Sequence, residues 1–279
     1  MADRDQHASR GFDVLSDETR VGILMALAER LREHPEDPTI GFSDLRRLVG
    51  VRDSGNFSYH LGKLDGRFVT KTPAGYRIGP AGHAVVAALI TGVYGEQVQL
   101  GPVELDDECP ACSRSFSANY ENGLLLITCP EEHTFKNPLP PGAVDDRSLA
   151  EVIDLWTHKT RRDLELALEH VCPFCYAFLD WSPDFDPNSE LAEFDTQCSR
   201  CGVRIEIPIV VSVLRHPTVA SFYHAHGIDV RSLPFWSPEL YEPVTVQRSG
   251  DRIEVRIDLD NDRLDVTLDE SLSVLDVDQ

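Results

Sequence analysis

The stretch from Cys109 to His133, CPACSRSFSANYENGLLLITCPEEH, decides how the larger part of this chain can fold. Its two ends carry four residues of types that bind metal ions: Cys109, Cys112, Cys129 and His133. Between them, Asn122 and Gly123 separate two apolar runs, which is a strong signal for a β-hairpin. A hairpin brings its two ends together, and tetrahedral Zn²⁺ needs two such pairs of ligands. The sequence therefore predicts a zinc ribbon over residues 105–137.

Two more Cys-x-x-Cys pairs follow this stretch. They consist of Cys172, Cys175, Cys198 and Cys201. Each pair places two thiolates on one side of a tight turn, and Gly202 suits such a turn because glycine accepts a left-handed backbone. We expect a second ribbon over residues 172–212. The 7 cysteines and His133 supply ligands for two structural zinc ions per chain, one held by three cysteines and a histidine and the other by four cysteines.

Other roles for these cysteines fit the sequence less well. Disulfides are typical of small secreted domains, whereas this chain has 279 residues and shows no secretory segment. A thioredoxin-like site needs a βαβ pattern beside its Cys-x-x-Cys pair, and none is evident. At the first site, His133 remains open to a second interpretation as an ordinary surface histidine. Because zinc with four protein ligands leaves no position for a reacting water, and no catalytic motif is present, we expect no enzymatic activity.

The composition indicates adaptation to high salt. The chain has 47 acidic and 26 basic residues, a net charge of -21, and only four lysines: Lys63, Lys71, Lys136 and Lys159. Concentrated salt screens the repulsion among so many carboxylates, so we expect a halophilic archaeon as the source. No apolar run is long enough to cross a membrane, and we expect a cytoplasmic protein without membrane contact.

The charge is distributed unevenly along the chain. Residues 1–95 hold 12 basic and 12 acidic residues, so the 14 basic and 35 acidic residues of 96–279 account for the whole net charge. Within 40–80, seven basic residues outnumber three acidic ones. A locally positive segment in a strongly acidic chain is typical of a protein that binds a polyanion such as nucleic acid.

The same segment lies within a regular pattern of helices and short strands. The periodicity and turn signals predict, in order, a helix that starts at Ser16 and Asp17 and ends before Pro35, helices at 43–49 and 54–65, strands at 68–71 and 76–78, and a helix over 80–97. This order matches the winged helix-turn-helix plan. In that plan the third helix enters the major groove of DNA and the hairpin touches the adjacent phosphates.

Three segments carry a resemblance to a known family: 17-DETRVGIL-24, 42-FSDLR-46 and 55-GNFSYHLGKL-64. With them, residues 13–95 resemble ArsR-type winged helix-turn-helix regulators in their haloarchaeal form. The two ribbons are similar to the C-terminal zinc-ribbon domain of the same group. The resemblance implies a sequence-specific DNA-binding transcriptional regulator, and it implies that the segment from Ser58 to Leu64 belongs to the recognition helix.

In the third helix, Phe57, Leu61 and Leu64 are expected to be buried. The other side of this helix would then be free to contact double-stranded DNA. Asn56 suits an adenine edge, and Lys63 suits a guanine or a phosphate. His60 has a second interpretation, in which it satisfies a backbone group within the fold. The expected DNA contacts, including residues of the preceding turn and of the hairpin, are Arg52, Ser54, Asn56, Ser58, Tyr59, His60, Lys63, Lys71 and Arg77.

The remaining sequence completes an α+β architecture. A long amphipathic helix is expected over 147–171, directly before the second ribbon, and antiparallel strands with an acidic outer face over 243–277. We divide the chain into a winged helix-turn-helix DNA-binding domain, 1–99, and a zinc-ribbon domain, 100–279.

Three expectations concern partners and rival functions. Winged helices of this type usually pair, and the apolar face of the helix near 81–94 would either join two copies into a homodimer or close the core of one chain. Winged helix plus zinc ribbon is also similar to archaeal transcription factor E, so a general initiation factor that contacts the transcription machinery is the first alternative. The second is a thiol or metal sensor whose first cysteine site loses its metal on oxidation.

Overall fold

A computed structural model describes residues 11–95, 98–185 and 192–279 of this chain. The chain divides into two compact units, the first ending at Glu96 and the second beginning at Gln97. Helices and antiparallel sheets both contribute to the described residues, which confirms the expected α+β class. Within the described ranges, no helix is both long and apolar enough to span a membrane.

The first unit is built from helices and one hairpin. After a short helical segment over residues 11–15, its elements are α1 (Glu18–Glu33), α2 (Phe42–Leu48), α3 (Ser54–Leu64), β1 (Val69–Thr72), β2 (Gly75–Ile78) and α4 (Pro80–Ile90). Aspartates start two of these helices, because the Asp17 side chain accepts from the Arg20 N–H and the Asp53 side chain accepts from the Asn56 N–H.

An apolar core joins these helices to the hairpin. Its most deeply buried members include Ile23, Leu24, Leu27, Leu45, Phe57, Leu61 and Leu64. In the hairpin, Thr70 lies opposite Arg77 and Lys71 opposite Tyr76. Ile40 extends the hairpin by two backbone hydrogen bonds to Tyr76, each 2.9 Å long. The spacing of apolar residues along α1 and α3 therefore decides which side of each helix faces inward.

The second unit contains three antiparallel sheets and several helices. Its elements are β3 (Leu100–Glu108), β4 (Ser115–Glu121), β5 (Leu124–Thr128), β6 (Thr134–Pro138), α5 (Leu149–Leu168), β7 (Asp180–Phe185), β8 (Glu193–Gln197), β9 (Arg204–Pro208), α6 (Ile209–Val213), α7 (Pro217–Ala225), β10 (Val244–Ser249), β11 (Arg252–Leu259), β12 (Asp262–Asp269) and β13 (Val274–Asp278). The sheets have the orders β3-β4-β5-β6, β7-β8-β9 and β10-β11-β12-β13.

The long helix α5 packs its apolar side into a single core of the second unit. Ser148 starts it with a capping box, in which the Ser148 hydroxyl and the Glu151 carboxylate satisfy each other's backbone N–H groups. Trp156 on its inner side lies 5.7 Å, ring to ring, from the fully buried Trp236. Trp236 in turn contacts Phe116 of β4 at 6.3 Å, so aromatic rings connect this helix to the first sheet.

Several element boundaries predicted from the sequence are wrong. The helix expected over 80–97 ends at Ile90, because the chain turns at Gly92 with a φ of 71°. The helix expected over 147–171 is confined to Leu149–Leu168, since His170 also takes a positive φ. Residues 209–211, which the sequence analysis places in the second ribbon, begin α6 instead of a strand. This run is buried on every side, and a continuous apolar run does not distinguish a helix from a strand.

Gly75 offers a direct test of the hairpin geometry. It has a φ of 145°, and a Cβ there would collide with the backbone carbonyl of Ile40. We expect Gly75→Ala to lower the free energy of unfolding of the first unit by about 1–3 kcal/mol, measured by calorimetry. Gly62→Ala is the matched control, because Gly62 lies in α3 with open space around it and alanine should stabilise that helix by up to about 1 kcal/mol. Equal stability of the two variants would contradict the described hairpin.

Candidate functional site

The first metal cluster lies where two turns of the first sheet meet. Its ligands are Cys109, Cys112, Cys129 and His133, whose ligand atoms all lie within 4.8 Å of one another. Nδ1 of His133 is 3.4 Å from the Sγ atoms of both Cys109 and Cys129, and the Sγ atoms of Cys112 and Cys129 are 3.6 Å apart. Because β3 and β5 end directly before Cys109 and Cys129, the sheet itself brings the two turns together.

The second metal cluster joins the end of α5 to the turn between β8 and β9. Its ligands are Cys172, Cys175, Cys198 and Cys201, which also lie within 4.8 Å of one another. The Sγ atoms of Cys172 and Cys201 are 3.7 Å apart, and those of Cys175 and Cys198 are 3.6 Å apart. Cys172 and Cys198 are buried, whereas Cys201 is exposed. This cluster therefore has one side at the protein surface.

These separations fit a tetrahedral metal ion. Zinc–sulfur bonds of about 2.3 Å place the sulfurs of a tetrahedral site about 3.8 Å apart, and a zinc–nitrogen bond of about 2.0 Å brings sulfur and nitrogen to about 3.5 Å. The observed sulfur–sulfur distances of 3.6–3.7 Å and sulfur–nitrogen distances of 3.4 Å are close to both values. Disulfide bonds would need sulfurs near 2.05 Å. The two clusters can thus hold two metal ions, as the spacing predicts.

The three Cys-x-x-Cys turns share one backbone geometry. The residue four positions after the first cysteine donates its N–H to that cysteine's carbonyl; the donors are Ser113, Tyr176 and Gly202, at 2.8, 2.9 and 2.9 Å. All three have a positive φ, of 55°, 56° and 78°. The role predicted for Gly202 is confirmed, while Ser113 and Tyr176 adopt the same turn at some cost in strain.

Backbone N–H groups and burial shift the pKa values of thiols in both clusters. The pKa of Cys198 falls to about 6, because the Cys201 N–H donates to its sulfur and outweighs burial, with further donation from the Arg200 N–H. Burial raises the pKa of the Cys109 thiol to about 11. Metal ions bind the thiolate form, so loading these sites releases protons, and metal affinity should decrease as the pH falls.

A polar surface covers one side of α3 in the first unit. Phe57, Leu61 and Leu64 face the core, and the opposite side presents Ser54, Asn56, Ser58, Tyr59 and Lys63, all exposed. Tyr59 is the largest of these side chains, with 58% of its surface exposed. The Lys63 ammonium lies over its ring at 5.4 Å, which keeps the charge beside the aromatic face. These residues therefore share the surface that the sequence predicted.

His60 differs from its neighbours because it is engaged within the fold. Its side chain is only 12% exposed, and Nδ1 lies 3.2 Å from a carboxylate oxygen of Asp17, which also caps α1. The other ring nitrogen lies 3.1 Å from the Asn56 side-chain oxygen. Both contacts are to side chains, so the structure does not show the backbone contact that was the second interpretation of His60. The imidazole links the start of α1 to the exposed amide of Asn56.

The basic residues expected at the interface lie on two segments beside α3. Arg52 is exposed in the turn before the helix, and the Arg46 guanidinium donates to the Arg52 carbonyl, which fastens that turn to α2. Lys71 and Arg77 are exposed on neighbouring strands of the hairpin. The Lys71 ammonium lies 6.0 Å from the ring centre of Tyr76. All the predicted interface residues thus belong to the first unit.

Asp17 is the site residue that sequence reasoning missed. The sequence marked it as a helix start, but nothing in the pattern linked it to His60, which is distant along the chain. The capping geometry of α1 supplies that link, because the same carboxylate accepts from the Arg20 N–H at 3.2 Å and faces the imidazole.

Two family models match the chain, one in each unit. A model described as Domain of unknown function (DUF7351) matches residues 106–274, which is more than half of the chain. A second, described as Domain of unknown function (DUF7347), matches residues 8–89. No curated protein and no solved structure matches the chain.

Metal stoichiometry tests the two clusters. We expect the purified chain to bind two metal ions, with Co²⁺ as a spectroscopic probe of tetrahedral thiolate coordination. Cys172→Ser and His133→Ala should each reduce the tightly bound metal to one ion, because each removes a ligand from a different cluster. His224→Ala is the control, since His224 is exposed and belongs to neither cluster. One ion in the parent, or two in His133→Ala, would contradict the first cluster.

Proposed function

We propose that this chain, which belongs to the family described as Domain of unknown function (DUF7351), is a sequence-specific DNA-binding transcriptional regulator. The observation that carries the proposal is the exposed side of α3, where Asn56 is oriented by His60 and flanked by basic side chains.

The order of elements in the first unit supports a winged helix-turn-helix. α2 and α3 are joined by a turn at Gly50, which has a φ of 76°, and the β1–β2 hairpin follows as the wing. At about 1.5 Å per residue, the 11 residues of α3 make a rod roughly 16 Å long. A helix of this kind fits the major groove of B-DNA, which is about 12 Å wide.

Asn56 is the residue best suited to read a base. An asparagine amide can pair with adenine through two hydrogen bonds in the major groove. The contact with His60 restrains the amide before DNA arrives, which lowers the conformational entropy lost on binding. His60 therefore acts as a positioning residue, held in turn by the Asp17 carboxylate.

The surrounding residues suit the phosphate backbone. Ser54 lies in the first turn of α3, and its exposed side-chain hydroxyl can donate to a phosphate oxygen. Arg52 and Lys63 flank the two ends of the helix, and Lys71 and Arg77 extend the positive surface onto the wing. Contacts of this type fix the position of a protein on DNA without reading its sequence.

We propose that the two metal clusters hold zinc in a structural role. Three thiolates with an imidazole, and four thiolates, are ligand sets that structural zinc prefers. In each cluster the protein fills all four positions, so the ion has no open site for a substrate. The ribbons would then organise the second unit and leave DNA binding to the first.

High salt limits how far charge alone can support binding. If the protein neutralises about four phosphates, a tenfold rise in salt weakens binding roughly 10³- to 10⁴-fold. A chain with a net charge of -21 that works in concentrated salt must therefore rely on base-edge hydrogen bonds and groove fit. The strongly acidic second unit also disfavours non-specific contact with DNA when salt is low.

Two substitutions separate base reading from phosphate binding. On an operator obtained by selection from random duplexes, Asn56→Ala should weaken binding at high salt by about 1–3 kcal/mol, because a bidentate base contact is lost. Lys71→Ala should weaken binding mainly at low salt and should flatten the salt dependence. Titrations of both variants at two salt concentrations provide the measurement.

Arg32→Ala serves as the control for charge. Arg32 lies at the end of α1, is exposed and pairs with Glu29, so its loss should leave DNA binding unchanged. If Asn56→Ala binds like the parent at high salt, α3 does not read bases. Failure to select any preferred duplex would favour a general initiation factor over a specific regulator.

We further propose that two copies of the chain pair through the end of α4. Val86 on this helix is buried in the core, whereas Ile90 is 64% exposed and Val93 and Tyr94 just beyond it are also exposed. The inner residues thus close the core of one chain, and the outer residues form a separate apolar patch. An apolar patch of this kind on a DNA-binding unit suits contact with a second copy, which would place two recognition helices on a symmetric operator.

Light scattering tests this pairing. We expect a dimer for the parent and a shift toward monomer for Ile90→Asp, since the substitution places a charge on the exposed patch. Leu275→Asp is the control, because Leu275 is similarly exposed but lies in β13 of the second unit. A parent that stays monomeric both free and on DNA would rule out the homodimer.

A further inference from the structure

A cavity in the second unit has properties that neither metal cluster nor DNA binding explains. It has a volume of about 570 Å³ and lies against α5, α7 and the segment that includes Val230 and Phe235. None of the eight metal ligands lines it. Cavities of roughly 300–1,000 Å³ are typical of sites for small organic molecules.

The charges around this cavity are opposite to those of the unit as a whole. Residues 96–279 hold 35 acidic and only 14 basic residues. The ionisable residues that line the cavity are His158, Arg161, Glu165, Arg215 and Arg231. Three arginines therefore meet at one opening with a single lining carboxylate. This concentration of positive charge suits an anion.

Arg161 is the most unusual of these residues. Its guanidinium donates to the Leu233 carbonyl at 3.2 Å and lies 5.1 Å from the ring centre of Phe235. Its Nε atom is shielded from solvent and has no hydrogen-bond partner, and the side chain forms no salt bridge with a described residue. Burial lowers the pKa of Arg161, and Glu165 and Asp229 only partly offset this effect. Because Nε is shielded, an anion in the cavity would pair with the terminal Nη atoms of this guanidinium.

Three carboxylates near the opening, Glu165, Glu169 and Asp229, equal the three arginines in number but are shared unevenly among them. Arg215 is paired with Glu169 at 2.5 Å, so its charge is largely balanced. Arg231 is exposed and forms no salt bridge within the described part of the chain. α7 begins beside the cavity at Pro217, and no side chain caps its first N–H groups. The end of this helix adds a partial positive charge to that of Arg161 and Arg231.

The remaining lining of the cavity is apolar. Its buried side chains are Leu164, Leu168, Val211, Leu214, Val230 and Phe235. Such a surface gains little from contact with a hydrated inorganic anion, whereas it stabilises a hydrocarbon body by removing apolar area from water. The cavity thus combines a site for one negative charge with space for an apolar group.

We propose that this cavity binds a small organic monocarboxylate with an apolar body, whose carboxylate pairs with Arg161. Arg161 offers its donors in a planar fork that matches a carboxylate. The apolar contacts explain how such a ligand would compete with chloride in concentrated salt. The proposal is independent of DNA binding, because every lining residue belongs to the second unit.

Isothermal titration of the full, metal-loaded chain tests the site. The probes are monocarboxylates of increasing apolar size, from propionate through 4-methylpentanoate to 4-phenylbutyrate, with 4-phenylbutyramide as the uncharged counterpart and inorganic phosphate as the purely ionic one. We expect saturable binding that strengthens with apolar size, and much weaker binding of the amide and of phosphate. Arg161→Met should weaken carboxylate binding roughly 10- to 100-fold.

Arg162→Met is the matched control. Its side chain is 66% exposed, pairs with Asp163 and does not line the cavity, so carboxylate binding should be unchanged. Circular dichroism checks the fold of each variant. If Arg161→Met unfolds, Arg231→Met carries the test, since its side chain is exposed and its loss should weaken binding about two- to fivefold. No saturable binding of any carboxylate, equal binding of the amide, or unchanged binding in the folded variant would overturn the proposal.

Discussion

The second unit depends on the convergence of four ligand atoms at each of two places. The ligands in each cluster lie within 4.8 Å of one another. They belong to turns that are otherwise connected to the fold only by short strands or by the end of α5. Thiolates brought this close repel one another unless a cation balances them. A structural zinc ion contributes on the order of 10 kcal/mol to folding, which is comparable to the whole stability of a domain. We propose that metal binding at these turns allows α5 and the small sheets to share one core.

The first unit follows a different physical plan. Its core is apolar, and the surface that we propose contacts DNA is the side of α3 that the core leaves free. The Asp17 carboxylate, the His60 imidazole and the Asn56 amide form a chain of contacts from the start of α1 to this surface. These polar contacts restrain the Asn56 side chain, and none of the three residues belongs to the apolar core. We propose that the two units have different roles. The locally basic first unit contacts a polyanion, and the acidic second unit favours solubility in salt.

The sequence could predict features whose residues are close along the chain or have a characteristic spacing. The cysteine pairs, the hairpin at Asn122, and the buried side of α3 are of this kind. It could not predict β3, because this strand lies at the edge of its sheet and most of its residues are exposed. It could not predict the contact of His60 with Asp17 either, or the grouping of arginines around the cavity beside α5, since both depend on tertiary packing between distant segments.

The central claim is that the first unit recognises particular DNA sequences in the cell. Genome-wide mapping of the chain's occupancy in its source organism tests this most directly. The account predicts a limited number of sharp sites that share a two-fold symmetric motif, with occupancy that disappears in Asn56→Ala while the protein level stays the same. Occupancy at most promoters without a shared motif, or no enrichment anywhere, would contradict it.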